Sequence, residues 1–517
     1  MTVNKIIGCV FAAFFATACT TLPAPRNLAD PVQTEGGFVS GTGSTVRAFR
    51  GIPYAAAPVG NLRWKPPQVP APWQGVRNGA TFGPDCMQPN EYPELRGAGM
   101  SEDCLSVNVW TPAVRSDARL PVMVWIYGGG FTYGSGSHPS YDGEALARRG
   151  VVVVTLNYRV GLFGFMAHPG LTAESPTHSS GNYGLLDQIA ALQWVKRNAA
   201  AFGGDPGRVT VFGQSAGAHS ISALIASPLA SNLFQQAIMQ SVGVMRPVAS
   251  LAQAEAYGTS FGGDIQTLRA LPATELVERL RKSPREDPSL TKARPLSIVA
   301  DGNVVRQPDY QAYSRGDFSK VRVIVGNNED EGGGATRNMP FKTTGDFQSF
   351  LGVNFPGLES RARDAYRVNS DAQVGQALSD LFSDTQFRFG TREMLQADSR
   401  LGVPAYRYVF SRHRNDRAAA PIHGDELQYV FDNLTAPHRG RQIPFNTVDE
   451  RVAREMGDAW VRFAKTGNPN GGNLPEWKAY DAQTEPFLEF ANKPTARSGY
   501  ESPRLAMIRD FYAQQRR

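Results

Sequence analysis

The sequence has little cysteine and little net charge. Four cysteines and seven histidines occur among 517 residues, and they form no cluster with the spacing of a zinc site. The formal net charge of +6 is small for this length, and the basic residues are dispersed, which argues against a nucleic-acid surface. Because no repeat, linker or charged block divides the chain, we expect one large domain, residues 35–517. We expect this domain to need no metal and no organic cofactor.

The hydrophobic run at the N-terminus, residues 6–16, is too short to span a bilayer. It follows the lone Lys5 and precedes a run of small residues, which is typical of an export signal covering residues 1–18. We therefore expect the protein in the periplasm, at the outer membrane or in the medium.

Cys19 leaves two cleavage chemistries open. The preceding Ala16-Thr-Ala18 suits ordinary signal peptidase, whereas small residues before a cysteine resemble a bacterial lipoprotein box, imperfect here because Ala16 stands where leucine is usual. Ordinary cleavage would leave an unpaired thiol in an oxidising compartment. We therefore favour lipidation of Cys19 and a membrane anchor, with residues 19–34 as a tether.

Cys86 and Cys104 remain once Cys9 and Cys19 are assigned to the signal. An even pair in an exported chain predicts one disulfide. A bridge closing so short a loop would contribute about 3 kcal/mol to stability.

Residues 210–218 combine an apolar strand with a Gly-x-Ser-x-Gly turn and a following helix. Gly213 and Gly217 remove side chains that would obstruct a sharp strand-to-helix reversal, so Ser215 can be held exposed as a nucleophile. The helix N-terminus, from Ala216, would favour negative charge on an attacked carbonyl oxygen. A tight turn with an ordinary capping serine is the alternative.

Short runs rich in β-branched and aromatic residues alternate with helical patterns. This alternation predicts an α/β fold with a mostly parallel sheet flanked by helices on both faces, and with chemistry at the carboxyl ends of the strands. The predicted strands are residues 107–110, 122–127, 151–157, 209–212, 321–326 and 406–410.

Three consecutive glycines, residues 128–130, directly follow one predicted strand. Their loop could turn its amides toward an oxyanion with no side chain in the way. We assign the N–H groups of Gly129, Gly130 and Ala216 as oxyanion donors, each worth about 3 kcal/mol in the transition state.

The general base would be a histidine that follows the serine. His219 lies one helical turn beyond the serine and is interpreted as a packing residue. His413, His423 and His438 remain, and His423 is favoured because it opens an apolar helical run. The acid that orients this histidine could be Glu329, Asp330 or Glu331, and spacing does not choose among them.

These residues resemble the type-B carboxylesterase and cholinesterase family of α/β-hydrolases, from about residue 35 to the C-terminus. Besides the serine turn, the similar segments are residues 49–54 (FRGIPY), 101–105 (SEDCL), 127–131 (YGGGF), 157–161 (NYRVG), 184–188 (GLLDQ), 202–206 (FGGDP), 463–469 (FAKTGNP) and Trp477.

The resemblance implies a serine hydrolase of small-molecule carboxylic esters. It places the acid on Glu331 and the base on His423, and it implies that Ser241 hydrogen-bonds the acid. It supports the three oxyanion donors and the Cys86–Cys104 bridge. It also implies structural ion pairs between Arg63 and Glu102 and between Arg159 and Asp187. Acyl transfer or amide cleavage by the same triad is one alternative, and a non-enzymatic adhesion protein is another.

The chain departs from the cholinesterases at two places. The first is Gln214, the residue directly before Ser215, where the cholinesterases have glutamate. We expect its side chain just behind the reacting groups. The segment between the two cysteines has no tryptophan and offers only Tyr92. Choline esters are therefore not expected as substrates, since the cation–π and charge contributions are missing. Arg337, near the acid, is interpreted as a solvated surface side chain.

Overall fold

A computed structural model of the chain describes residue 1 and residues 27–89, 95–283, 289–414, 420–437, 444–500 and 502–516. Four features named above lie outside the described residues: residues 2–18 of the predicted export signal, Cys19, Tyr92 and His438.

A ten-stranded sheet forms the centre of the protein. Its strands are β1 (Arg47–Pro53), β2 (Ser106–Thr111), β3 (Leu120–Ile126), β4 (Val152–Leu156), β5 (Gly204–Gln214), β6 (Gln236–Gln240), β7 (Arg322–Asn328), β8 (Ala405–Phe410), β9 (Phe487–Phe490) and β10 (Thr495–Arg497). Their spatial order is β10-β9-β8-β7-β6-β5-β3-β4-β2-β1. Every neighbouring pair from β9 to β4 is parallel, and antiparallel pairing is confined to β10 at one edge and to β2 and β1 at the other. The predicted, mostly parallel α/β sheet is thus confirmed.

All six predicted strands form, and they are apolar because central strands are buried on both faces. In β3, for example, residues 122–126 are fully buried. β6 was not predicted, because its sequence QAIMQ begins and ends with glutamine. In the fold, the buried Gln236 accepts a hydrogen bond from Thr210 Oγ1 at 2.7 Å, so the polar end of this central strand is satisfied.

Helices flank the sheet. The longer ones are Tyr183–Asn198, Ala216–Ala226, Leu251–Thr259, Ala273–Lys282, Thr344–Asn354, Val374–Ser383, Phe389–Arg400, Thr447–Thr466 and Pro503–Gln515. Shorter ones are Glu144–Ala147, Gly161–Phe165, Pro169–Glu174, Ile265–Ala270, Asp309–Arg315, Glu359–Ala365 and Leu427–Val430. None of the helices within the described ranges is both long and apolar enough to cross a membrane.

The folded region begins before the predicted boundary at residue 35. The strand Val32–Thr34, assigned above to the tether, pairs with Gly37–Ser40, which in turn pairs with Val76–Asn78. Val32 and Thr34 are buried, and burial of their side chains explains why this end of the segment is ordered against the domain.

The disulfide and both structural ion pairs are present. The Cys86 and Cys104 sulfur atoms are 2.10 Å apart. Arg63 contacts Glu102 at 2.5 Å, and the buried Arg159 contacts Asp187 at 2.8 Å. Two small sheets complete the fold, Asp85–Cys86 with Met100–Ser101 and Ala249–Ser250 with Val299–Ala300.

Candidate active site

A cavity of about 320 Å³ lies at the carboxyl ends of the central strands. Ser215 follows β5, the glycine loop follows β3 and Glu331 follows β7, so parallel pairing brings these loops to one edge of the sheet. All six residues assigned above to the triad and the oxyanion hole line this cavity: Gly129, Gly130, Ser215, Ala216, Glu331 and His423.

Ser215 has a strained backbone, with φ +57° and ψ −123°. Such conformations persist only where the surroundings enforce them. Here the Ser215 N–H donates to the Gln240 carbonyl at 2.9 Å, and the helix Ala216–Ala226 begins at the next residue. A Cβ on Gly217 would lie 2.0 Å from the Ile126 carbonyl oxygen. This glycine is therefore required by the close approach of β3 as well as by the turn.

Glu331 and His423 form a hydrogen-bonded pair. Glu331 Oε2 lies 2.6 Å from His423 Nδ1, and the carboxylate is fully buried. Its Oε1 accepts hydrogen bonds from Ser241 Oγ at 2.7 Å and from the Asn328 N–H at 2.6 Å. We assign the imidazole proton to Nδ1, because that atom faces the carboxylate, and this leaves Nε2 as the acceptor.

The two neighbouring acids have other partners. Glu329 contacts the Nε2 of His413 at 2.6 Å, and both side chains of this pair are exposed. Asp330 accepts hydrogen bonds from Ser379 Oγ and from the Gly333 N–H at 3.0 Å. The choice that spacing left open is thus resolved geometrically in favour of Glu331 as the partner of His423.

The loop that carries His423 is fixed to the loop that carries the acid. The Asp330 N–H donates to the Pro421 carbonyl at 3.0 Å, and Asn328 Nδ2 donates to the Ile422 carbonyl at 2.7 Å. These bonds hold the imidazole at the edge of the sheet, although His423 does not directly follow a strand as the other site residues do.

Glu426 is a buried acid that the sequence analysis missed. Its oxygens accept hydrogen bonds from Asn328 Nδ2 at 2.6 Å and from Gln240 Nε2 at 3.1 Å. Burial and then the charge of Glu331 raise its pKa to about 7, although the Asn328 bond and His423 act in the opposite direction. The sequence did carry a signal for Glu426: it is an acidic residue at the start of an apolar helical run, three residues after the candidate base.

Two further side chains contact the imidazole of His423. Gln214 Nε2 lies 3.1 Å from His423 Nε2, so the residue before Ser215 contacts this imidazole. The Phe387 ring stacks on the imidazole with centroids 4.6 Å apart. Phe387, which the sequence analysis also missed, is buried and shields that face of the imidazole from water.

The glycine loop adopts backbone conformations that favour glycine. Gly129 has φ +119° and Gly130 has φ +60°. A Cβ on Gly129 would lie 2.1 Å from the Tyr133 carbonyl oxygen, and the Gly129 carbonyl accepts the Thr132 N–H at 3.0 Å. The loop is therefore a tightly folded turn at the cavity wall rather than a slack connection.

His219 packs as expected, but it also lines the cavity. Its N–H donates to the Ser215 carbonyl at 2.9 Å. Burial, followed by the charges of Arg246 and Arg294, lowers the pKa of its imidazole to about 3, so the ring is neutral at physiological pH. Both arginines line the cavity, whereas Arg337 is exposed and is not a lining residue. Among the described residues, no group of three or more His, Cys, Asp or Glu side chains could hold a metal ion.

Comparison with known proteins identifies the family of the chain. Residues 29–508 match the model of the carboxylesterase family. The chain is 43% identical over 479 residues to a fumonisin B1 esterase of Sphingopyxis macrogoltabida, a match covering 91% of this chain and 89% of the relative. It is 34% identical to a cholinesterase of Mus musculus, covering 91% of this chain and 84% of that protein.

Solved structures of esterases share the fold. A PNB esterase matches with a TM-score of 0.81 at 33% identity, covering 93% of this chain and 99% of that one. A carboxylesterase of Geobacillus stearothermophilus matches with a TM-score of 0.81 at 34% identity, covering 92% and 99%. The chain belongs to the carboxylesterase family and is an enzyme that hydrolyses carboxylic esters.

Proposed function

We propose that Ser215, His423 and Glu331 form the catalytic triad of this esterase. The observation that carries the proposal is the 2.6 Å contact between His423 Nδ1 and the buried Glu331, in the same cavity as a serine with φ +57°. A base oriented by a buried carboxylate, beside a serine on a strained strand-to-helix turn, is the arrangement that acyl transfer to serine requires.

In the proposed reaction, His423 Nε2 takes the proton of Ser215 Oγ while this oxygen attacks the ester carbonyl. The carbonyl oxygen becomes negatively charged and is stabilised by the N–H groups of Gly129, Gly130 and Ala216. His423 then protonates the departing alcohol, which leaves an acyl-enzyme. Water attacks the acyl-enzyme by the same route, and Glu331 stabilises the imidazolium at each step.

A fluorophosphonate probe tests the nucleophile directly. The probe should label the wild type once per chain, on the peptide that contains Ser215, because only an activated serine displaces fluoride rapidly. Mass spectrometry of the digested protein locates the label. Ser220→Ala, which changes a buried serine of the same helix, is the matched control and should label normally, whereas Ser215→Ala should not. A label on another serine in an active enzyme would refute the assignment.

The buried Glu426 should make stability depend on pH. Its folded-state pKa of about 7 lies above the ordinary value of 4.5. Between these two pH values the unfolded chain loses this proton while the folded protein keeps it, so the free energy of unfolding falls as pH rises, by up to about 1.4 kcal/mol per pH unit. The Glu426→Gln variant has no carboxyl group to titrate, so its free energy of unfolding should not fall in this way. In urea unfolding from pH 4.5 to 8, the free energy of unfolding of the variant minus that of the wild type should increase up to about pH 7 and stay constant above it. A difference that does not vary with pH would contradict the assignment.

We also propose that the chain is exported and anchored through a lipid on Cys19. The signal-like residues 1–18 support export, and so does the Cys86–Cys104 bridge, because disulfides persist in oxidising compartments. Mass spectrometry of the chain from a bacterial membrane fraction should show an N-terminus at Cys19 carrying a lipid. A chain that retains residue 1 would contradict export, and an unmodified Cys19 would contradict the anchor.

A further inference from the structure

The glycine loop turns back on itself at the cavity wall. A Cβ on Gly129 would lie 2.1 Å from the Tyr133 carbonyl oxygen, and a Cβ on Gly134 would lie 2.6 Å from the Gly128 carbonyl oxygen. Residues 133–137, here called the return segment, therefore begin in direct contact with residues 128 and 129. Because the two arms of the turn touch, the position of the Gly129 N–H depends on what holds the return segment.

The side chain of Gln88 holds the return segment at Gly134, which lines the cavity. Gln88 Oε1 accepts a hydrogen bond from the Gly134 N–H at 2.7 Å, and Gln88 Nε2 donates to the Gly134 carbonyl at 2.9 Å. The same Nε2 donates to the Cys86 carbonyl at 3.0 Å, which fixes the orientation of the amide. Gln88 is buried, so removing its amide would leave both backbone groups of Gly134 without these partners inside the protein, where such a loss is costly.

Asp85 holds the return segment at two further residues. Its Oδ1 accepts hydrogen bonds from Ser135 Oγ and from Ser137 Oγ at 2.8 Å. All three side chains are buried, and Ser135 lines the cavity. Asp85 and Gln88, here called the clamp, lie on either side of Cys86. The return segment is thus attached at three of its residues to the chain around this cysteine.

The disulfide attaches the clamp to the central sheet. Cys86 is bonded to Cys104, which lies two residues before β2. The Ser106 N–H donates to the Cys104 carbonyl at 2.8 Å, so this cysteine leads directly into the strand. Two residues before Cys104, Glu102 forms the ion pair with Arg63. The bridge therefore holds the clamp against the beginning of a sheet strand.

Granted the catalytic function proposed above, we propose that Gln88 is a positioning residue for the oxyanion hole and that the Cys86–Cys104 disulfide acts on turnover through it. Oxyanion donors lower the barrier only if they are already in place when charge develops on the carbonyl oxygen. A return segment that shifts would therefore lower kcat more than it weakens substrate binding. A glutamine amide suits this role, because it offers an acceptor and a donor side by side and so matches the N–H and carbonyl groups of one residue.

Gln88→Met tests the clamp, because methionine keeps the length of the side chain and removes both bonds to Gly134. On a p-nitrophenyl ester of a short acyl chain, kcat should fall about ten- to a hundredfold, the cost of slightly misplacing catalytic groups, and KM should stay within about threefold. An alkyl trifluoromethyl ketone, which adds to a catalytic serine and places a negatively charged oxygen in the oxyanion hole, should bind more weakly by the same factor as kcat falls. Rates are referred to the sites counted by complete fluorophosphonate labelling.

Gln236→Met is the matched control. It removes the amide of another buried glutamine, at the beginning of β6 and away from the cavity. This variant should lose stability, because Thr210 Oγ1 loses its acceptor. Its kcat and its affinity for the ketone should stay within about twofold of the wild-type values.

Gln88→Glu is a second variant whose side chain has the same shape as glutamine. Its carboxylate keeps an acceptor for the Gly134 N–H but has no donor for the Gly134 carbonyl, whereas the protonated acid has both. Because burial favours the neutral acid, its kcat relative to that of the wild type should recover as the pH is lowered from about 8 to about 6. A ratio that stays low over this whole range would contradict the role of the amide.

Cys86→Ala with Cys104→Ala tests the bridge. At a temperature where this variant is folded, its kcat should be about three- to tenfold below that of the wild type. Adding Gln88→Met should then lower kcat by a smaller factor than the same change does in the wild type, because both changes loosen one segment.

The possible failures can be told apart. Unchanged kcat and ketone affinity in folded Gln88→Met would overturn the positioning role, and full additivity of the two changes would overturn the link to the disulfide. Either result, with normal labelling of Ser215 in the wild type, would leave the esterase assignment standing. Loss of both labelling and hydrolysis in the folded wild type would refute the proposed function itself.

Discussion

Replacing His423 by alanine should lower kcat/KM for ester hydrolysis by about four to six orders of magnitude. Without the imidazole, nothing removes the Ser215 proton or protonates the departing alcohol. The loss should appear mainly in kcat, since the imidazole acts in the chemical step. The double variant Ser215→Ala with His423→Ala should be no slower than the slower single variant, because the two residues act as a unit. Initial rates on a p-nitrophenyl ester of a short acyl chain would measure these effects.

His413 provides the matched control for this experiment. It forms the same kind of pair with Glu329, also at 2.6 Å, but both side chains are exposed and neither lines the cavity. His413→Ala should therefore leave kcat/KM within about twofold, because exposed ion pairs contribute little. Comparable losses in the two variants would show that the histidine requirement is structural, and the proposed base would then be wrong.

Replacing Gly129 by alanine should lower kcat/KM by about two to three orders of magnitude, the usual cost of losing one oxyanion donor. The added Cβ would lie 2.1 Å from the Tyr133 carbonyl oxygen, and Gly129 has φ +119°. The turn must therefore move, and its N–H groups move with it. Because the acylation step needs the oxyanion hole, fluorophosphonate labelling should slow as well.

Gly357→Ala separates loss of the oxyanion hole from general backbone strain. Gly357 also has positive φ, at +83°, but a Cβ there would meet nothing within 4 Å. This variant should be destabilised by about 1 kcal/mol and keep its activity. Thermal unfolding of both variants, recorded beside their rates, would show whether the Gly129 effect exceeds its cost in stability. Full activity in folded Gly129→Ala would contradict the assigned donor.

The sequence predicted most of the sheet, because buried parallel strands are continuous apolar runs and such runs are recognisable without knowing their partners. It missed β1, β9 and β10 near the edges of the sheet, and it missed β6, whose terminal glutamines become acceptable only when Thr210 and Glu426 supply hydrogen-bond partners. The sequence also predicted that the tether extends to residue 34, whereas Val32 and Thr34 are already buried in the fold. No local pattern reveals the contacts that bury them.

The sequence alone predicted the strained serine turn and the glycine loop, since both patterns satisfy local backbone requirements. Spacing could not decide which acid faces His423, because Glu329, Asp330 and Glu331 are adjacent. The family resemblance implied Glu331, and the tertiary structure directs that side chain to His423. The tertiary structure likewise brought Gln88 against Gly134 from a distant segment. Local conformation is encoded by neighbours in the chain, whereas charge and shape in the cavity depend on side chains that meet only when the sheet is assembled.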